Sequence, residues 1–166
     1  MKIRYLIGDA TLPVKKPAVI AHVCNDKKMW GRGFVLALRD RYPEAEKAYK
    51  KWFREGPKFE LGYVQHVQVK KDITIANMIA QHDIRWQGNR PPIRYEALRK
   101  CLSSVYHRAE AMKVTVHMPR IGCVLAGGSW NEIEPIIQET MTVDTFVYTL
   151  ANQTDHWDDI YETWEE

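Results

Sequence analysis

Residues 118–130, Met-Pro-Arg-Ile-Gly-Cys-Val-Leu-Ala-Gly-Gly-Ser-Trp, constrain the fold more than any other stretch, because they lead from a strand through a three-glycine turn into a helix. Upstream, residues 114–118 alternate β-branched and other side chains before Pro119. Downstream, residues 131–141 carry isoleucines at helical spacing. Such a turn gathers backbone N–H groups into a concavity, the helix start adds its positive dipole end, and glycine lets the main chain approach a guest closely. Phosphate suits that environment. The same glycines also permit a tight turn with no guest, and from this turn alone both readings stand.

A second unit of the same kind lies earlier. Residues 18–24, Ala-Val-Ile-Ala-His-Val-Cys, read as a buried strand, Asn25 to Gly33 form a loop containing Gly31 and Gly33, and residues 34–38 open an apolar helix. Two strand–glycine turn–helix units side by side can hold a diphosphate, one phosphate on each, where a lone turn is a weak hint.

The chain has 166 residues, 45% of them hydrophobic, which is enough for one core and too little for two ordinary domains. No apolar run approaches the roughly 18 residues of a membrane span, and no leader is evident, so a soluble, cytoplasmic protein is expected. Cys24, Cys101 and Cys123 are too few for a disulfide framework and are expected as thiols. A net charge of +3, with a locally acidic stretch from Asp155, permits a polyanion partner without demanding one. The Lys47, Lys50, Lys51, Arg54 and Lys58 cluster reads as a solvated helix face, so nucleic acid is not an expected partner.

Strands are expected at residues 2–7, 19–24, 61–69, 73–80, 114–118 and 143–150, and helices at 34–41, 43–53, 93–112 and 131–141. Residues 81–92 form a loop with His82, Asp83, Trp86 and several arginines, expected to be mobile. Strands interleaved with helices imply an α/β fold, a three-layer α/β/α sandwich with a mixed sheet of about six strands, whose ligands sit beyond the carboxyl ends of the strands. Residues 1–150 are expected as one domain, with residues 151–166 an acidic tail or short helix of the same domain.

Four ordered pieces, Gly8-Asp9, His22-Val-Cys-Asn25 with Trp30-Gly-Arg-Gly33, Arg41-Tyr-Pro43, and Met118-Pro-Arg-Ile-Gly122 with Trp130, resemble the macrodomain family, whose α/β/α module binds ADP-ribose. The resemblance covers about residues 3–150. It is closest to the stand-alone branch that holds yeast-type ADP-ribose 1''-phosphate phosphatase and terminal ADP-ribose protein glycohydrolase. The resemblance implies that Asp9, between Gly8 and Ala10, accepts a hydrogen bond from the adenine amino group while Ala10 supplies backbone contact. It also implies that Gly31, Arg32, Gly33 and Phe34 together with Gly122, Cys123, Val124, Leu125, Ala126, Gly127 and Gly128 wrap the diphosphate and distal ribose. Asn25 would bond the ribose hydroxyls, and Trp30 would line the site or plug the core.

Two departures bear on mechanism. The glycohydrolase uses a lysine and an aspartate where this chain aligns Gln81 and Ala126. An amide forms no Schiff-type adduct and a methyl exchanges no proton, so lysine-type glycohydrolysis is disfavoured. Phosphatase-like hydrolysis at the distal ribose fits better, with His22 and Asn25 as candidate catalytic residues, His22 because imidazole titrates near neutrality. His22 is equally a candidate core histidine. Asp26 and His82 are second candidates for proton transfer. A non-catalytic reader of ADP-ribose or ADP-ribosylated protein, and an esterase on acyl-ADP-ribose, remain as alternatives. RNA or poly(ADP-ribose) binding through Arg85, Trp86, Arg90 and Arg94 is a third. A Cys123–His117 pair is a minor reading. No CxxC or HExxH spacing supports a metal at His22, Cys24, His117 and Cys123, and neither glycine loop has the dinucleotide fingerprint, so no metal or cofactor is expected.

Overall fold

The runs of β-branched and apolar residues pair into one sheet in the computed structural model, which describes residues 1–164. Its strands are β1 (Ile3–Ile7), β2 (Ala18–Asn25), β3 (Val64–Lys70), β4 (Ile73–Gln81), β5 (Thr115–Met118) and β6 (Thr145–Thr149), in the spatial order β1-β6-β5-β2-β4-β3. Every pairing is parallel except β3 with β4. The sheet is therefore mixed, with its antiparallel strand at one edge.

Alternation along the central strands divides the core in two. Val19 and Ala21 of β2, with Ala76, Met78 and Ala80 of β4, pack under α3 (Tyr95–Met112) and α4 (Trp130–Thr140). Ile20 and Cys24, with Ile73 and Ile75, pack under α1 (Phe34–Arg41) and α2 (Pro43–Glu55). Both faces of β2 and β4 are covered, which is why these strands read as continuous apolar runs. The result is the expected α/β/α sandwich.

Boundaries shift where a backbone group is claimed from outside its element. Helix α3 begins at Tyr95 because Ile93 donates its N–H to the carbonyl of Ala126 and paired prolines precede it. Strand β3 begins at Val64 because Gly62, at φ +92°, turns the chain. After β6, Ala151–His156 forms a short 3₁₀ helix, and the chain then returns alongside β1, where Glu162 donates its N–H to the Tyr5 carbonyl. This return covers part of an edge strand that would otherwise present unpaired backbone. No helix among the described residues is long and apolar enough to cross a membrane.

Candidate functional site

The two glycine turns leave the carboxyl ends of adjacent parallel strands, β2 and β5, which is where an open α/β sheet forms its crevice. In the first turn Asn25 acts as a local clamp. Its Oδ1 accepts the N–H groups of Lys27 (3.0 Å) and Met29 (3.1 Å), and its Nδ2 donates to the Met29 carbonyl (2.8 Å). The Tyr49 hydroxyl also donates to Oδ1 at 3.0 Å. Gly33 closes the turn at φ +77° as the residue before α1.

In the second turn Gly122 (φ +72°) and Gly127 (φ +75°) bracket a short 3₁₀ segment, Val124–Ala126. Val124 sits at φ +58°, a conformation that strains a β-branched residue and that recurs at functional sites. The two turns touch: the Leu125 Cδ1 lies 3.0 Å from where a Cβ on Gly33 would be. A third wall comes from the loop after β4, since Trp86 and Pro91 lie against Gly127. That loop is tied at its base by the His82 N–H to the Pro92 carbonyl and again between Gln87 and Arg90.

Asp9 stands at the end of β1. Its Oδ1 accepts from both the N–H (2.9 Å) and the hydroxyl (2.7 Å) of Thr11, while its Oδ2 is 4.0 Å from the guanidinium of Arg41. Tyr42 donates its hydroxyl to the Thr11 carbonyl, so the Arg41-Tyr-Pro43 piece of the sequence holds the Asp9 turn in place. Ala10, beside it, is buried.

Three of the expected site residues have their side chains engaged within the fold. His22 is 2% exposed, its Nε2 bonds the Asn77 Oδ1 at 2.5 Å, and Trp30 and Phe34 pack around its ring. Burial drives its pKa down to about 4 against the opposing Asn77 bond, so it stays neutral. The Asn25 carboxamide is bonded within its own loop, where it shapes the turn. Trp30 plugs the core: it is 3% exposed, packs on Tyr49, and donates Nε1–H to the Val35 carbonyl.

The Cys123–His117 reading also fails on geometry. His117 stacks on Phe146, and its two nitrogens bond Thr115 and Tyr148. Burial pushes the Cys123 thiol up to about 11, away from a reactive thiolate.

What the fold does bring together is Asp26 and His82. Parallel pairing of β2 with β4 sets Asn25 opposite Gln81, so the residues that follow meet beyond the sheet. The Asp26 Oδ2 bonds the His82 Nδ1 at 2.6 Å, and its Oδ1 accepts the Asp83 N–H at 2.8 Å. Beside them opens a cavity of about 590 Å³, lined by His82, Arg90, Arg94 and Lys100 together with Glu96. Arg94 is partly fixed, donating to the carbonyls of Pro91 (2.5 Å) and Pro92 (3.1 Å). Burial, then repulsion from Arg90, lowers its pKa. Lys100, on α3, carried no local signal of a site in the sequence. An adjoining hollow of about 700 Å³, which shares Glu96 and Lys100 with this cavity, is lined only by α3 residues.

No family model matches the sequence. The chain is 46% identical to a Bacteroides thetaiotaomicron protein of unknown function whose structure superposes with a TM-score of 0.88, covering 90% of this chain and 99% of that one. It is 44% identical to a macrodomain protein from Streptomyces coelicolor, TM-score 0.79, covering 89% and 99%. An ADP-ribose 1''-phosphate phosphatase from Lodderomyces elongisporus is 24% identical over 161 residues, covering 90% of this chain and 99% of that protein. The chromodomain-helicase-DNA-binding protein 1-like of Danio rerio is 32% identical over 168 residues, and the chain spans only 16% of its length.

Proposed function

The chain belongs to the macrodomain family, and from that premise we propose that it binds ADP-ribose and hydrolyses a phosphate from the distal ribose, with ADP-ribose 1''-phosphate as substrate. The observation that carries the proposal is the meeting of the two glycine turns at Gly33 and Leu125, beyond the carboxyl ends of the adjacent strands β2 and β5. In this reading Gly31 to Phe34 and Gly122 to Gly128 hold the diphosphate. Asp9 accepts from the adenine amino group through Oδ2, the oxygen its own turn leaves free of hydrogen bonds. The similarity to a protein named as a phosphatase of this substrate supports the reaction. Residues 151–164 count with the same domain in this proposal, supported by the bridge between Leu6 and Glu162 that lays the returning segment along β1. Three unpaired cysteines support a reducing compartment such as the cytoplasm.

A second reading, a reader of ADP-ribose or ADP-ribosylated protein, is favoured by Gln81 and Ala126, which supply neither amine nor carboxylate. Calorimetric titration with ADP-ribose, followed by ADP-ribose 1''-phosphate with phosphate release monitored, separates the two. Binding with release supports the phosphatase, binding without release supports the reader, and no binding refutes both.

A further inference from the structure

We propose that Asp26 and His82 form the proton-transfer couple of this site, and that the cationic cavity beside them receives the phosphate carried on the distal ribose. The inference rests on the function proposed above and assigns its chemistry to residues outside the two glycine turns.

Position comes first. Asp26 opens the first glycine turn. His82 opens the loop whose Trp86 and Pro91 lie against Gly127 of the second turn. The couple therefore lies beyond the carboxyl ends of β2 and β4, one residue on from their Asn25–Gln81 register, and is joined to each turn through the chain that it opens. Asp26 is the less exposed partner, its side chain at 16% against 33% for His82. Its two oxygens are directed by the Asp83 N–H and by the imidazole. An ionised carboxylate there accepts the Nδ1 proton, which fixes the ring and leaves Nε2 as the nitrogen available to a substrate.

Charge comes second. Arg90, Arg94 and Lys100 line the cavity with His82, and Glu96 is the one carboxylate among its lining residues. Arg90 and Lys100 make no ion pair among the described residues. Lys100 rests over the Tyr63 ring, its Nζ 4.0 Å from the centroid. A cavity with this balance suits a dianionic phosphate and gives a neutral acyl group nothing to pair with. The substituent assigned to the distal ribose is accordingly phosphate.

The step balances as a monoester hydrolysis. Water attacks phosphorus and the bond from phosphorus to the C1'' oxygen breaks. That oxygen takes a proton from Nε2 of His82. One proton of the attacking water replaces it, so ADP-ribose and inorganic phosphate leave and His82 is restored. Asp26 remains ionised throughout and acts as a positioning residue.

The test uses the full chain. His82→Asn keeps a donor for Asp26 and lacks the second nitrogen. Its affinity for ADP-ribose should stay within about two-fold of the parent, while phosphate release from ADP-ribose 1''-phosphate slows by about 10²–10⁴-fold, the usual span of general acid–base catalysis. Arg90→Glu combined with Lys100→Glu should raise KM for the phosphorylated substrate by about ten-fold or more, with ADP-ribose affinity unchanged. Imidazole nitrogen spectra should show the His82 Nδ1 protonated in the parent and the tautomer no longer fixed in Asp26→Asn. Undiminished release by His82→Asn, or a parent that binds ADP-ribose and releases no phosphate, overturns the assignment. Failure of the parent to bind ADP-ribose overturns the underlying function instead. Titration with inorganic phosphate then decides separately: a shift of the His82 resonances upholds the anion cavity, and an unmoved spectrum removes it.

Discussion

A Cβ on residue 128 would stand 2.3 Å from the carbonyl oxygen of Gly122, the same oxygen that accepts the Gly128 N–H at 2.7 Å. No side chain fits there, because the obstacle is backbone closed by its own hydrogen bond. Gly128→Ala must open the second turn, and we expect ADP-ribose affinity to fall at least about ten-fold, equivalent to 1.4 kcal/mol. Gly31 offers the contrast, since a Cβ there meets no atom within 4 Å. Gly31→Ala should leave stability within about 0.5 kcal/mol of the parent. Calorimetry on both, with thermal unfolding as control, checks the pair; equal binding by Gly128→Ala would show that this turn holds no ligand.

Asp9 has one oxygen committed to Thr11 and one facing outward near Arg41. Asp9→Asn can keep both Thr11 bonds while placing an amide nitrogen where the outward oxygen stood. Folding should be preserved, and ADP-ribose binding should weaken by about 1–3 kcal/mol, because an acceptor opposite the adenine amine becomes a donor. Unchanged affinity in a titration would remove Asp9 from adenine recognition.

Two buried imidazoles, His22 and His117, and the half-buried His66 give the protein an acid sensitivity above the carboxylate range. Burial lowers His22 and His66 to about 4 and His117 to about 3, each from an ordinary value of 6.5. The unfolded chain takes up these protons near pH 6.5 while the native chain resists until pH 4 or below. Stability is therefore full above pH 6.5 and falls as the pH drops toward 4. Urea unfolding midpoints at pH 7.0 and pH 5.2 should differ clearly, and His22→Gln should narrow the gap. Coincident midpoints would mean that the histidines are not held neutral.

The fold was more legible than the site, for a physical reason visible in β2. A strand covered on both faces reads as an apolar run, so residues 18–24 announced a central strand but not which side His22 faces. Only the pairing of Asn77 opposite His22 places that ring under α1 and α2, bonded and out of reach of solvent. The glycine turns were readable because positive φ at Gly33, Gly122 and Gly127 leaves a mark in composition. Asn25 and Trp30 carried the family resemblance, yet their side chains serve the loop and the core. Asp26 and His82 stand 56 residues apart and meet only through the register of β2 with β4. No spacing rule reaches across that distance.

The segment that returns along β1 after β6 is fastened at Arg120, and this attachment can be measured. The side chain of Arg120 is 7% exposed, and its guanidinium packs over the rings of Tyr5, Trp130 and Trp157 at 4.9, 5.0 and 4.5 Å. Its Nε donates to the Thr149 hydroxyl at 3.1 Å and its Nη2 pairs with Asp159. Nη1 has no partner among the described residues, so Asp159 supplies the ion pair that offsets a buried cation. Asp159→Asn preserves shape and removes that charge, which should cost about 2 kcal/mol, less than the 3–5 typical of a fully buried pair because Asp159 is itself 20% exposed. The pairs of Glu162 with Lys2 and Arg4 lie nearer solvent, and Glu162→Gln should cost under about 1 kcal/mol. Thermal unfolding of the two variants side by side tests the ordering. Equal losses would mean that the segment is held by the Glu162 N–H bond to the Tyr5 carbonyl and by aromatic packing, with the Arg120–Asp159 pair contributing nothing beyond them.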